Sequence, residues 1–286
     1  MFITGLPDLL IEPIIRAALL EDLGRAGDVT AEAVIAPDAI GTVEFRARQA
    51  GVSAGIDCAR LAMSLMDPRI RFETRLPDSS PVKPGDVIAR VDGPSRAILA
   101  AERVSLNLLC HLSGVATLTA EYVKRVEGLN THIACTRKTM PMLRGLQKHA
   151  VKCGGGYNHR YGLDDAILIK DNHIALCGGV RQAMERAKAA VGHTMKIEIE
   201  VDSIEQLRMA LPYGPDVVML DNFSLDKYTE AVRLVRDTAP GKTILEASGG
   251  VNLETVRAIA ETGVDVISVG ALTHSAPNFD IGLDAL

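Results

Sequence analysis

The chain has no tryptophan, and aromatic residues fill only 3% of its 286 positions. With 47% apolar content, its core must be built from Ala, Val, Ile and Leu, which suits helices stacked on a parallel sheet. Its five cysteines (Cys58, Cys110, Cys135, Cys153, Cys177) are odd in number and form no CxxC pair. That argues against a disulfide framework or a zinc site and for a reducing cytoplasm. No HExxH, HxH or Cys/His cluster appears, so a transition-metal centre is not expected. No apolar stretch approaches the roughly 18 residues that span a bilayer. The N-terminus carries acids among its apolar residues and no basic start, unlike a signal peptide. A net charge of −5 offers little to nucleic acid or an anionic membrane, and neither is expected as a partner. Walker loop, GxGxxG fingerprint and nucleophile elbow are all missing, so any chemistry must rest on placed charge rather than a covalent intermediate.

One absence is local. Residues 135–160 read CTRKTMPMLRGLQKHAVKCGGGYNHR, with Arg137, Lys138, Arg144, Lys148, Lys152 and Arg160 and not one acid. A solvated helix face would interleave both signs. A single-sign cluster beside a glycine turn suggests that an anion comes to it. Arg137 and Arg160 flank that turn, and guanidinium pairs bidentately with carboxylates.

Two textures divide the chain. Apolar residues recur at helical spacing from Leu9 to Leu23, GTVEFRARQAGVSAG alternates as a strand does, and a helical stretch follows near Cys58–Met66. RFETRL and VKPGDVIARVDG then read as short strands around a Pro84-Gly85 turn. This is a small α+β domain. SRAILAAERVSLNLLCHLSGVATLTAEYVKRV is helical, with an interruption and a boundary expected at Ser113-Gly114. Beyond it THIACTRKT, AILIKDNH, MKIEIEVD, DVVMLDN, KTILEASGG and DVISVGA are strand candidates alternating with helices. Units of about 20 to 27 residues suit a βα barrel, although six strands fall short of a closed eight.

Chemistry collects at the strand ends. Lys138, Lys170, Glu200, Asp221, Ser248-Gly249-Gly250 and Gly270 close the six in turn, and in a βα barrel those ends form the catalytic face. In MKIEIEVD one face is Ile197, Ile199 and Val201 and the other Glu198, Glu200 and Asp202. A buried strand with a polar face is costly unless that face lines a site. SGG and VGA lie late in the barrel, where backbone N–H groups commonly hold phosphate. Either alone is more simply a tight turn. Glu200 and Asp221 could hold Mg²⁺ if substrate phosphates completed its shell. His159 stands where it could donate a hydrogen bond or a proton, whereas His173 and His274 read as structural. Met63, Met66, Met140 and Met142 read as core or gap-filling residues.

The runs TRKT, PMLR, KHAV, GGGYNHR and LIKDNH, with EDLGRAGDVT, AERVSLNLLCHLSGVAT, EASGGV and SVGALTHSAP, resemble quinolinate phosphoribosyltransferase (nicotinate-nucleotide pyrophosphorylase, carboxylating) across nearly the whole chain. The resemblance implies an α/β fold: an N-terminal α/β sandwich domain, 1–114, and an open, roughly seven-stranded α/β barrel, 115–286, with the last ~15 residues returning to the first domain. It implies conversion of quinolinate and phosphoribosyl pyrophosphate to nicotinate mononucleotide, pyrophosphate and CO₂, with Mg²⁺ as cofactor. By resemblance Arg103, Thr136, Arg137, Lys138, His159, Arg160 and Lys170 form the quinolinate pocket. Glu200 and Asp221 face the ribose and metal, and Ser248, Gly249, Gly250, Val269, Gly270 and Ala271 form phosphate loops. Lys138, His159, Lys170, Glu200 and Asp221 are the catalytic candidates, and the final proton comes from His159, Lys138 or water. The family works as a homodimer or larger assembly, with Arg103 reaching the neighbouring subunit's site. Met142 departs from the pattern, since TRKT-x-P is usually followed by Gly. A Schiff-base aldolase using Lys170 fits the arginine pair poorly. Non-catalytic, molybdenum-transport-associated relatives depart at NHR and LIKDNH, both intact here. A purely structural barrel leaves the aligned charges unexplained.

Overall fold

The computed structural model describes residues 5–238 and 241–286. In chain order it runs α1 (Asp8–Leu23), α2 (Val29–Val34), β1 (Ile40–Ala47), β2 (Gly51–Val52), α3 (Ile56–Met66), β3 (Arg71–Thr74), β4 (Pro81–Val82), β5 (Val87–Pro94) and α4 (Ser95–Arg125). Next come β6 (His132–Ala134), α5 (Arg144–Cys153), β7 (Ile167–Ile169), α6 (Asp171–Cys177), α7 (Val180–Ala190), β8 (Ile197–Val201) and α8 (Ile204–Ala210). The chain ends with β9 (Val217–Asp221), α9 (Leu225–Thr238), β10 (Ile244–Ser248), α10 (Val256–Glu261), β11 (Val266–Ser268), α11 (Ala271–His274) and β12 (Ile281–Ala285). All six strand candidates of the later texture are present. The chain forms two compact units: Met1–Ala120, Thr139–Gly155 and Leu272–Leu286 in one, Glu121–Lys138 and Gly156–Ala271 in the other.

In the first unit an antiparallel sheet runs β12-β1-β5-β3. Alternation in β1 turns Val43, Phe45 and Ala47 inward, as the two-residue strand period requires. They meet Ile56, Ala59 and Met63 of α3 and Ile98, Ala101 and Leu109 of α4, with Phe279 and Ile281 from the chain's end completing the core. Ile281 to Ala285 pair with Ala47 to Val43.

The break expected at Ser113-Gly114 does not occur, and α4 runs unbroken for 31 residues. Both small residues serve packing. Ser113 Oγ accepts from Ala54 N at 3.1 Å and donates to Ala54 O at 3.2 Å. At Gly114 a Cβ would lie 2.0 Å from the Pro277 carbonyl oxygen, so glycine here admits a crossing backbone.

In the second unit six parallel strands run β6-β11-β10-β9-β8-β7. A further rung is an isolated parallel bridge between Ala134 and Tyr157, with Tyr157 N donating to Ile133 O and Cys135 N to Tyr157 O. The roughly seven-stranded open barrel is thus six strands plus this rung, and among the described residues no pairing joins the rung to β7.

Candidate active site

Each parallel strand delivers a polar side chain to one cavity of about 580 Å³, contained in the second unit. Thr136, Arg137 and Lys138 follow β6, Lys170 follows β7, and Glu200, Asp221, Ser248 and Ser268 stand at or next to the ends of β8 to β11. His159 and Arg160 follow the Tyr157 rung, and Gly249 and Gly250 follow β10. This is the carboxyl-end face on which βα barrels place their chemistry.

The basic groups Arg137, Lys138, Arg160 and Lys170 converge on this cavity. Burial, and then the neighbouring Arg137 charge, hold Arg160 below the usual guanidinium range. Arg160 Nη1 donates to Ala166 O at 2.8 Å, while its buried Nε makes no hydrogen bond. Two like charges held together are costly until an anion lies between them. Lys170 Nζ meets Glu200 Oε2 at 2.5 Å, and Lys138 N donates to Thr136 Oγ1 at 3.0 Å.

Below the cavity, the polar face of β8 carries Glu198, 5% exposed, and β10 carries Glu246, 4% exposed. His159 Nε2 faces both, 3.1 Å from Glu198 Oε2 and 3.6 Å from Glu246 Oε1. Its Nδ1 accepts from Arg160 N at 2.8 Å, so the ring's proton sits on Nε2 and points at the acids. Burial, and then the charge of Glu198, push the Glu246 carboxyl up to about 7.

The glycine turn is sterically specified. Gly249 has φ +90° and Gly250 φ +60°, and a Cβ on Gly249 would come within 2.3 Å of the Asn222 side chain. Asn222 itself sits at φ +55° after β9, a conformation Asn tolerates, and its N–H donates to Ser248 O at 2.9 Å.

Eleven of the residues expected at the site line the cavity: Thr136, Arg137, Lys138, His159, Arg160, Lys170, Glu200, Asp221, Ser248, Gly249 and Gly250. Val269, Gly270 and Ala271 do not. Val269 is buried and its N–H is taken by Ala134 O at 2.8 Å; the preceding residue, Ser268, lines the wall instead. Arg103 lies on α4 in the first unit, its side chain 61% exposed and 3.5 Å from Glu102. Leu168, Met219 and Asn222 also line the cavity; only period-two alternation from Lys170 and Asp221 could have found the first two. His173 is structural, its Nδ1 accepting from Lys170 N at 2.9 Å. Glu200 and Asp221 border the same space.

The profile of the quinolinate phosphoribosyl transferase C-terminal domain matches residues 115–284, and that of its N-terminal domain matches 28–113. The chain belongs to the quinolinate phosphoribosyltransferase family. A probable nicotinate-nucleotide pyrophosphorylase [carboxylating] of Bacillus subtilis is 42% identical over 96% of this chain and 93% of that protein. The nicotinate-nucleotide pyrophosphorylase [carboxylating] of Mycobacterium leprae is 43% identical over 94% and 95%. Among solved structures, the nicotinate-nucleotide pyrophosphorylase from Francisella tularensis is 37% identical and superposes with a TM-score of 0.92, covering 100% of this chain and 99% of that one.

Proposed function

We propose that this quinolinate phosphoribosyltransferase family member converts quinolinate and phosphoribosyl pyrophosphate to nicotinate mononucleotide, pyrophosphate and CO₂ in NAD biosynthesis. The observation that carries this reading is the Arg137–Arg160 pair, like charges held side by side on a cavity that also presents Lys138, Lys170 and a glycine turn. A planar dicarboxylate answers the arginines through paired hydrogen bonds. Thr136, Lys138 and Lys170 adjoin it, and Ser248, Gly249 and Gly250 take the phosphates.

As the pyridine nitrogen bonds to ribose C1, the bond from C1 to pyrophosphate breaks and positive charge grows on the sugar. Glu200 and Asp221 stabilise that charge or hold the ribose hydroxyls. Glu200 and Asp221 would hold Mg²⁺ together with substrate phosphates, and the ion would supply positive charge for the leaving pyrophosphate. When the carboxylate at ring position 2 then leaves as CO₂, the electron pair stays on that carbon, stabilised by the positive charge of the adjacent quaternary nitrogen. That carbon takes one proton. Both His159 nitrogens face protein groups, so Lys138 or water is the better source. Exposed Arg103 serves a neighbouring subunit of a homodimer or larger assembly, and the protein works in the cytoplasm.

The test is direct. The purified protein is mixed with quinolinate, phosphoribosyl pyrophosphate and Mg²⁺, and nicotinate mononucleotide and CO₂ are followed together. Both should form, with none of the nucleotide from nicotinate. In Arg137→Met, kcat/KM for quinolinate should fall at least about 100-fold, near 3 kcal/mol of lost charge pairing, with the melting temperature kept. Normal turnover in that variant would sink the pocket assignment.

A further inference from the structure

The first unit holds a second convergence of polar side chains, none of which lines the cavity. His149 and Cys153 stand one turn apart on α5, which sets them on one helix face. Asp78 comes to them from the segment joining β3 and β4. His149 Nε2 lies 2.7 Å from Asp78 Oδ2 and 3.5 Å from Cys153 Sγ. The three ligand-type atoms lie within 4.8 Å of one another. A nucleophile relay would give the two ring nitrogens different partners; here a single nitrogen faces both, so three donor atoms look into one space.

We propose that Asp78, His149 and Cys153 form a three-ligand site for a zinc-class divalent ion, with water in the fourth position. Zinc bonds of about 2.3 Å to sulfur and about 2.0 Å to nitrogen, at a tetrahedral angle, put those atoms about 3.5 Å apart. That is the separation observed. The same geometry needs nitrogen and oxygen about 3.3 Å apart, so Asp78 draws back by about 0.6 Å and exchanges its hydrogen bond for the ion. Its other oxygen, Oδ1, accepts from Ile56 N at 3.0 Å, an outer hydrogen bond of the kind that orients metal-bound carboxylates.

Charge and softness agree. Imidazole, thiolate and carboxylate together suit zinc and cobalt rather than magnesium or calcium. Thiolate and carboxylate cancel the ion's two charges, so no net charge is buried. The His149 and Asp78 side chains are 8% and 12% exposed, while Pro77, next to Asp78, is exposed. An ion there cross-links α5 to the β3–β4 connection. No motif announced the site, because Asp78 and His149 are 71 residues apart.

The experiment is a cobalt titration of the full chain after chelator treatment and desalting. A sulfur-to-cobalt charge-transfer band should saturate near one equivalent and be displaced by zinc. Cys153→Ser should abolish the band, Cys177→Ser should leave it, and Asp78→Asn should weaken cobalt binding by about 10- to 100-fold. If Cys153→Ser does not fold, as judged by circular dichroism, Asp78→Asn carries the test. No band in the parent protein, a band that survives Cys153→Ser, or unchanged affinity in Asp78→Asn overturns the proposal and leaves a buried Asp78–His149 ion pair.

Discussion

At the scale of single residues, the acids beneath the cavity have a consequence for stability. Glu246 is buried beside Glu198, so the folded chain keeps a proton that the unfolded chain gives up between about 4.5 and about 7. A raised carboxyl contributes favourably at low pH, and that contribution is lost as pH rises through this window, at about 1.4 kcal/mol for each pKa unit of difference. Glu246→Gln removes the titration. Its melting temperature relative to the parent should therefore improve steadily from about pH 5 to about pH 8. A difference that stays constant with pH would show that the carboxyl is not held up. His159 was marked by its NHR setting and Glu198 by the polar face of its strand. Glu246 was not marked, because a lone acid among Leu245, Ala247 and Ser248 becomes significant only when three strands turn their side chains to one point.

At the scale of elements, Met142 connects a sequence departure to backbone geometry. It sits at φ +66° in the turn before α5 and is 81% exposed, so it is no core filler; Met140 is also exposed, at 44%. A residue with a Cβ loses roughly 1–2 kcal/mol in this left-handed region, and glycine gives part of that back in chain entropy. Met142→Gly should raise stability by about 0.5–1 kcal/mol in urea denaturation, and no gain would argue that the turn relaxes elsewhere. The six parallel strands were legible because their apolar runs alternate with helical stretches. The unbroken α4 was not: Ser and Gly read as a break until Ala54 and the Pro277 carbonyl are seen packed against them. Nor was the Ala134–Tyr157 rung, a single bridge that leaves no alternating pattern.

At the scale of the whole molecule, the first unit depends on the last residues of the chain. Phe279 and Ile281 are 2% and 5% exposed within its core, worth about 1.5–3 kcal/mol each in buried apolar surface. Their sum is comparable with the entire stability of many domains, about 5–15 kcal/mol. Ending the chain at residue 271 should therefore leave the first unit open to limited proteolysis, with the loss read as early cleavage near Phe45 and Met63. Resistance equal to the full chain would mean that β12 is dispensable. There is also a matter of order in time. β1 is synthesised more than 230 residues before the β12 that pairs with it, so an early strand of the first unit waits on a late one. Until β12 arrives, the edge of β1 that it covers is a row of unpaired N–H and C=O groups, open to a strand from another copy of the chain.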